Sequence, residues 1–293
     1  MSKVQDLYSH HFGMTGRPFS PLADSRTVHW SSSHTRAYGA LEYGLFASTP
    51  FTVLTGAEGS GKTSLLLKLM ADASEENRIA MVAGLRPGIG SIIPWVLQAL
   101  GEDVAADASE VSLFGQLQSV LIDEYAAGRT TVLIFDEAQN LGDAALDELR
   151  LLSNINTAQD QLLQTILCGL PVLRTTLRSS RHAGLAQRVG AWGHLDALDE
   201  DGTAEYLVNR LAAVGGRLDL IESAASDTIH QACGGTPRLI NQLSELAMIY
   251  AMTSGADQVT EATVRQVLAD GLFVATLPNG ESPAALRLAS GGT

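Results

Sequence analysis

The stretch from Phe51 to Met70 constrains this chain more than any other. Phe51-Thr52-Val53-Leu54-Thr55 leads into Gly56-Ala57-Glu58-Gly59-Ser60-Gly61-Lys62-Thr63, and Ser64-Leu65-Leu66-Leu67-Lys68-Leu69-Met70 follows at once. A β-type apolar run, a glycine-rich turn and a helix-period run in that order give G-x-x-x-x-G-K-[ST] in the strand-loop-helix setting the pattern requires. Glycines let the backbone turn so that successive N–H groups face one concavity, and the start of the helix adds its positive end; both suit a polyphosphate. Gly56, Ala57, Glu58, Gly59, Ser60, Gly61, Lys62, Thr63 and Ser64 are therefore expected to bind a nucleotide, ATP, with Lys62 reaching its β and γ phosphates. Thr63 is expected to ligate Mg2+.

A second run supports the first. Thr131-Val132-Leu133-Ile134-Phe135 reads as a buried strand and ends in Asp136-Glu137-Ala138-Gln139. Acidic side chains at the carboxyl end of a parallel strand emerge beside the phosphate loop. Asp136 is expected to hold Mg2+ through water, and Glu137 to orient or deprotonate the attacking water, so hydrolysis is the expected chemistry. Without the phosphate loop, two adjacent acids after a strand would read equally well as solvated loop residues.

Around these motifs, short apolar runs alternate with helix-period segments: Phe51 to Thr55 then Ser64 to Ala73, Ile79 to Ala83 then Ser91 to Leu100, Thr131 to Phe135 then Ala144 to Asn154, and Leu163 to Cys168. Such alternation predicts an α/β fold, a parallel sheet with helices on both faces. From Asp201 onward only helical periodicity remains, over Thr203 to Ala213, Ile221 to Cys233, Arg238 to Ala251 and Thr260 to Ala269, with Gly215-Gly216, Gly234-Gly235 and Gly255 as helix stops. The expected organisation is an N-terminal segment over 1–50 packing on the core, an α/β nucleotide-binding domain over 51–196, an all-helical domain over 197–272 and a flexible tail over 273–293.

Composition narrows the partners. The formal charge of -13, with Lys3, Lys62 and Lys68 as the only lysines, leaves no general basic field to neutralise a nucleic-acid duplex. Arg174, Arg178 and Arg181 are the local exception, spaced to share one helical face. Cys168 and Cys233 are too few for a disulfide framework and read as reduced thiols inside a cytosolic fold. The start lacks the apolar core of a secretory signal, and uncharged runs such as Pro87 to Gly101 stop short of the roughly 18 apolar residues of a membrane span, so a cytoplasmic location is expected. His10, His11, His29, His34 and Arg36 form no metal-binding spacing.

The phosphate loop, the Asp136-Glu137-Ala138-Gln139 run and a helical C-terminal unit containing Gly234-Gly235-Thr236-Pro237-Arg238 resemble an AAA+ ATPase with its lid domain. Further runs resemble the ExeA-like ATPases, the general secretion pathway protein A family. These are Phe12-Gly13-Met14, Arg17-Pro18-Phe19-Ser20-Pro21, Asp24 to Arg26, Ser31 to His34 and Leu41-Glu42-Tyr43-Gly44-Leu45. Leu149-Arg150-Leu151-Leu152-Ser153-Asn154, Ile166 to Leu173, Leu185-Ala186-Gln187-Arg188-Val189 and Pro237-Arg238-Leu239-Ile240-Asn241 join them, so the resemblance reaches to about residue 270. It implies that Arg238, next to Pro237, contacts the γ phosphate as the lid arginine. Arg188 would act in trans as an arginine finger, with Arg181 as its rival. Phe19 would pack near the adenine, a hydrophobic staple being the alternative. The family usually carries a polar residue where this chain has Leu170, which can neither donate nor accept a hydrogen bond; Asn154 or Gln139 could supply the contact instead.

The resemblance implies an ATPase that assembles with copies of itself through the nucleotide site. It would serve a secretion, polysaccharide export or envelope assembly system, peripheral to the inner membrane through a partner. A chain of this extent is expected to lack the wall-binding part of some relatives. Two alternatives stand beside it: a DNA-associated regulator of the transposition type, which the acidic balance opposes, and a nucleotide-bound adaptor that hydrolyses slowly, which Leu170 suggests.

Overall fold

The computed structural model describes residues 8–20, 28–86, 88, 90–156 and 160–274. The chain falls into two compact units. One comprises residues 32–56 and 62–195; the other takes in 1–31, the loop apex 57–61 and 196–293.

The first unit is built on a five-stranded sheet in the order β2-β3-β4-β1-β5, with every neighbouring pair parallel. Its strands are β1 (Phe51–Gly56), β2 (Asn77–Val82), β3 (Thr130–Phe135), β4 (Leu163–Gly169) and β5 (Val189–Leu195). All six residues of β1 and all seven of β4 are buried. Because successive strand residues point to opposite faces, unbroken burial means that both faces of the sheet are covered. The helices of this unit are α1 (Ser32–Phe46), α2 (Lys62–Asp72), α3 (Ile93–Ala99), α4 (Glu110–Ala126), α5 (Asp143–Leu152), α6 (Pro171–Leu177) and the short α7 (Ala183–Ala186). Phe51, Val53, Leu133, Phe135 and Leu167 of the sheet share one core with Val96, Leu97, Leu117, Leu121, Leu146 and Leu149 of the helices.

β5, α4 and α1 are among the elements that go beyond the alternation read from the sequence. β5 carries two glycines, a histidine and a tryptophan, and its burial alternates, so it gives no continuous apolar run. α4 buries Leu113, Leu117 and Leu121 on one face but exposes Val111, Phe114, Ile122 and Tyr125, which blurs its period. Its start is nonetheless marked, since the Ser109 hydroxyl caps it by accepting from the Ser112 amide at 3.2 Å. α1 has its apolar face diluted by small residues, with Ser33, Ala37 and Gly44 among those buried.

The second unit contains α8 (Glu200–Ala212), α9 (Ser223–Cys233), α10 (Pro237–Thr253) and α11 (Glu261–Ala269). Leu207, Leu211, Ile229, Ile240, Leu243, Met248 and Val264 form its core. Tyr8, Met14 and Phe19 belong to the same core, held there by Thr15 N–H donating to Val214 at 2.9 Å and by Arg210 Nε donating to the Pro18 carbonyl at 2.6 Å. Phe273, at the start of the expected tail, is 1% exposed in this core, while residues 275–293 lie outside the described residues. Pro21 and Asp24 to Arg26 of the family-like runs also lie outside them.

Gly234 ends α9 in the left-handed conformation, at φ 55°. Gly235 follows at φ +68°, where a Cβ would sit 1.8 Å from the Leu198 carbonyl oxygen. That approach is fixed by a bond from Leu198 N–H to the Gly235 carbonyl at 2.9 Å. Gly235→Ala is expected to lower stability by roughly 3 kcal/mol or more, since left-handed strain and a backbone clash combine. Gly255→Ala, at φ +71° with nothing within 4 Å, is expected to cost only about 1–2 kcal/mol. Denaturant midpoints of the two variants check the ordering.

Candidate nucleotide site

β1 lies between β4 and β5. Its last residue is Gly56, and α2 begins six residues later at Lys62, so the glycine-rich run is the turn from a central strand into a helix start. Gly59 and Gly61 take φ +74° and +99°, conformations that glycine adopts without strain. Lys62 is 6% exposed, and its Nζ donates to the Gly56 carbonyl at 3.0 Å, which folds the cation back across the turn.

Thr63 Oγ1 donates to Asp136 Oδ2 at 3.2 Å, which joins the start of α2 to the end of β3 across 73 residues of chain. The other carboxylate oxygen of Asp136 accepts from the Glu137 amide at 2.9 Å. A hydroxyl and a carboxylate side by side are hard oxygen donors of the kind Mg2+ takes when phosphate and water supply its remaining positions. Among the described residues no group of three or more His, Cys, Asp or Glu could hold a metal by itself. The donor set therefore fits a magnesium ion carried in by phosphate better than an all-protein cage. Cys168 on β4 lies beside Asp136, and burial, with that carboxylate next, pushes its thiol well above the usual range, so it stays protonated and inert.

Glu137 is exposed and left-handed, at φ 56°, one of two described non-glycine residues with positive φ. The tight turn Ala138–Asn140 follows it. Its carboxylate accepts from Gln139 Nε2, and Gln139 Oε1 accepts from the Leu170 amide at 3.0 Å. Of the two polar substitutes for Leu170, Gln139 therefore meets Glu137. Asn154 lines a surface groove with Phe114, Leu151 and Leu162.

Within the helical unit, the apex of the loop meets the start of α10. Arg238 N–H donates to the Gly59 carbonyl at 3.2 Å, and Arg238 Nη1 donates to Glu58 Oε1 at 2.9 Å in an exposed ion pair. A Cβ at Gly59 would meet Arg238 Cβ at 2.6 Å, so the close approach requires glycine there. Pro237 occupies the first turn of α10, where its missing N–H costs nothing. Phe19 is 1% exposed among the core residues of this unit.

The arginines separate. Arg188 spends its guanidinium on the Ser153 hydroxyl and, at 3.2 Å, on the Arg150 carbonyl. Arg181 is exposed and pairs with Asp143 at 2.8 Å, where His182 also bonds. Arg174 and Arg178 lie over the Trp192 ring at 5.9 and 5.4 Å. The single stripe expected of residues 174, 178 and 181 does not form. α6 ends at Leu177, Ser179 is extended, and Arg181 sits on a separate turn over Ser180–His182.

Comparison with known proteins agrees with this fold. The AAA domain family matches residues 47–177. General secretion pathway protein A of Aeromonas hydrophila is 32% identical over 260 residues, which is 88% of this chain and 47% of that protein. The chain thus spans about half the length of the curated relative it matches. Among solved structures, Cdc6p of Pyrobaculum aerophilum superposes with a TM-score of 0.64 at 18% identity, covering 88% of this chain and 71% of that one. The ORC2 protein of Aeropyrum pernix in its ADP form gives 0.64 at 18%, covering 85% and 71%. The Thermotoga maritima RuvB Holliday junction branch migration motor gives 0.54 at 20%, covering 90% and 76%. At such identities these structures carry the fold alone.

Proposed function

We propose that this chain, an ExeA-like protein with the AAA+ P-loop fold, binds ATP at Gly56–Ser64 and hydrolyses it to ADP and phosphate. The observation that carries the reading is the contact between Thr63 and Asp136 at the foot of the glycine-rich loop, with the exposed Glu137 next in sequence. Lys62 meets the β and γ phosphates once its bond to the Gly56 carbonyl is exchanged for phosphate oxygens. Thr63 and Asp136 are the residues that would hold magnesium, which when bound neutralises charge on the phosphates. Glu137 takes a proton from the attacking water as its oxygen bonds to the γ phosphorus and the bond to the bridging oxygen of ADP breaks.

Arg238 is the proposed reporter of the γ phosphate, with residues 197–272 as the lid. The phosphate competes with Glu58 for its guanidinium, and because both partners are exposed the pair is easily exchanged. For a finger acting in trans, Arg188 would have to leave Ser153 and the Arg150 carbonyl, whereas Arg181 has only an exposed partner. Phe19 and Pro237 contribute packing that sets this end of the lid. The role proposed is a self-assembling cytoplasmic motor or switch for a secretion, polysaccharide export or envelope assembly system, the first of which the likeness to a general secretion pathway protein supports. Among the described residues no helix is long and apolar enough to cross a membrane, and a place peripheral to the inner membrane through a partner is part of the proposal.

Phosphate release with Mg2+·ATP, measured beside the molecular mass with and without ATP, tests the reading. Magnesium-dependent release and a larger mass with ATP are expected. Binding without turnover at any protein concentration would overturn the motor and leave a nucleotide-bound adaptor. The DNA-associated alternative rests on Arg174 and Arg178 over Trp192. An unshifted duplex at low salt, where counterion release makes binding tightest, removes it.

A further inference from the structure

We propose that Gln139 is the positioning residue for Glu137, holding it from the β3 loop to the turn that carries Leu170. The proposal rests on the hydrolysis reading and adds a residue to it. Leu170 cannot hydrogen-bond through its side chain, but its backbone N–H, at the entrance to α6, donates to Gln139 Oε1 at 3.0 Å. That bond fixes the amide's sense. A backbone N–H can only donate, so the carbonyl end of Gln139 must face Leu170 and the NH2 end must face away. The NH2 end meets the Glu137 carboxylate, which as an anion is acceptor-only. One side chain thus ties the exposed, left-handed Glu137 to the turn between β4 and α6.

Room for the bridge comes from Gly169. A Cβ there would lie 2.5 Å from Gln139 Oε1 and 3.2 Å from the Gln139 backbone nitrogen, so a larger residue would push the bridging side-chain amide out of place. Asn140 braces the same loop from its other end, its Nδ2 donating to the Leu85 carbonyl at 3.0 Å. An exposed glutamate on a three-residue turn would otherwise sample several rotamers, and misplacement of about 1 Å can cost on the order of 100-fold in rate. Gln139 removes that freedom by holding Glu137 to the Leu170 amide.

Two variants separate positioning from mere bracing of the turn. Gln139→Leu removes both bonds, whereas Gln139→Glu keeps an acceptor for the Leu170 amide and loses the donor toward Glu137. For Gln139→Leu, kcat is expected to fall by roughly 10- to 100-fold, with KM and ATP affinity within about twofold of wild type. Leu170 amide exchange in the nucleotide-free protein is expected to speed up by about tenfold as its acceptor goes. Gln139→Glu is expected to lose kcat equally while Leu170 stays protected. Gln139→Leu combined with Glu137→Gln is expected to be no slower than Glu137→Gln alone, because the two residues act as a unit. Wild-type kcat in Gln139→Leu, or in Gln139→Glu alone, overturns the proposal. A wild type that never turns over overturns the hydrolysis reading instead. The exchange arm needs no turnover, and unchanged Leu170 exchange in Gln139→Leu overturns the bridge itself.

Discussion

Glu137→Gln is expected to keep ATP affinity and to lower kcat by about 10²- to 10⁴-fold, the range for removing a general base. In free energy this is about 3–5 kcal/mol of lost transition-state stabilisation, with nothing lost from ground-state binding. The split follows from where the residue sits. Glu137 follows the Asp136 that meets Thr63, and its own exposed carboxylate accepts from Gln139. Glutamine has the same shape and can still accept from Gln139 Nε2, so the local structure has no reason to change. It cannot take a proton from water. Isothermal titration for affinity and steady-state phosphate release for kcat check the two halves separately.

Lys62→Ala is expected to fail at the earlier step, losing at least about 100-fold in ATP affinity and with it all measurable hydrolysis, since charge-assisted bonds to two phosphates contribute roughly 1.5–3 kcal/mol each. Lys62 is 6% exposed and directed at the Gly56 carbonyl, inside the turn rather than in solvent. With only three lysines in a chain of charge -13, no neighbouring lysine of the loop can substitute. The fold should survive. Gly56, buried at the end of β1, loses one donor to its carbonyl, a cost of about 1–3 kcal/mol, while Leu65, Leu66 and Leu69 still bury the apolar face of α2. A titration that shows wild-type affinity in Lys62→Ala would separate the loop from the nucleotide altogether.

Both residues are marked in the sequence alone, and the reason is local. The loop needs a fixed spacing within eight residues, and Asp136 and Glu137 follow directly on the apolar run that forms β3. β1, β3 and β4 were legible for the same cause, because strands buried on both faces read as unbroken apolar runs. β5 was not. As the edge strand beside β1 it is covered less completely, and Gly193 sits where a Cβ would press on Leu54 and the backbone of Ala37 at 3.2–3.3 Å.

What the sequence hid depends on contacts between distant residues. The Arg238 to Glu58 pair spans 180 residues, and no local pattern announces it. Gln139 stood in the sequence only as one of two polar candidates. Its bond to a backbone amide rather than to a side chain at position 170 is what distinguishes it from Asn154. The arginine stripe failed for a local reason that spacing alone cannot see: Ser179 breaks the helix, so an interval suited to one helical face ends on a different turn.

The most direct test of the central claim is a single-turnover measurement. Wild type and Glu137→Gln are loaded with radiolabelled ATP in the absence of metal, magnesium is added, and the bound nucleotide is quenched and separated over time. Wild type should convert its bound ATP to ADP once magnesium arrives, while Glu137→Gln should hold the same amount of ATP unchanged over that interval. Equal conversion by both proteins, or no conversion by wild type, would contradict the assignment of Glu137 as the base that cleaves ATP held by the Gly56–Thr63 loop.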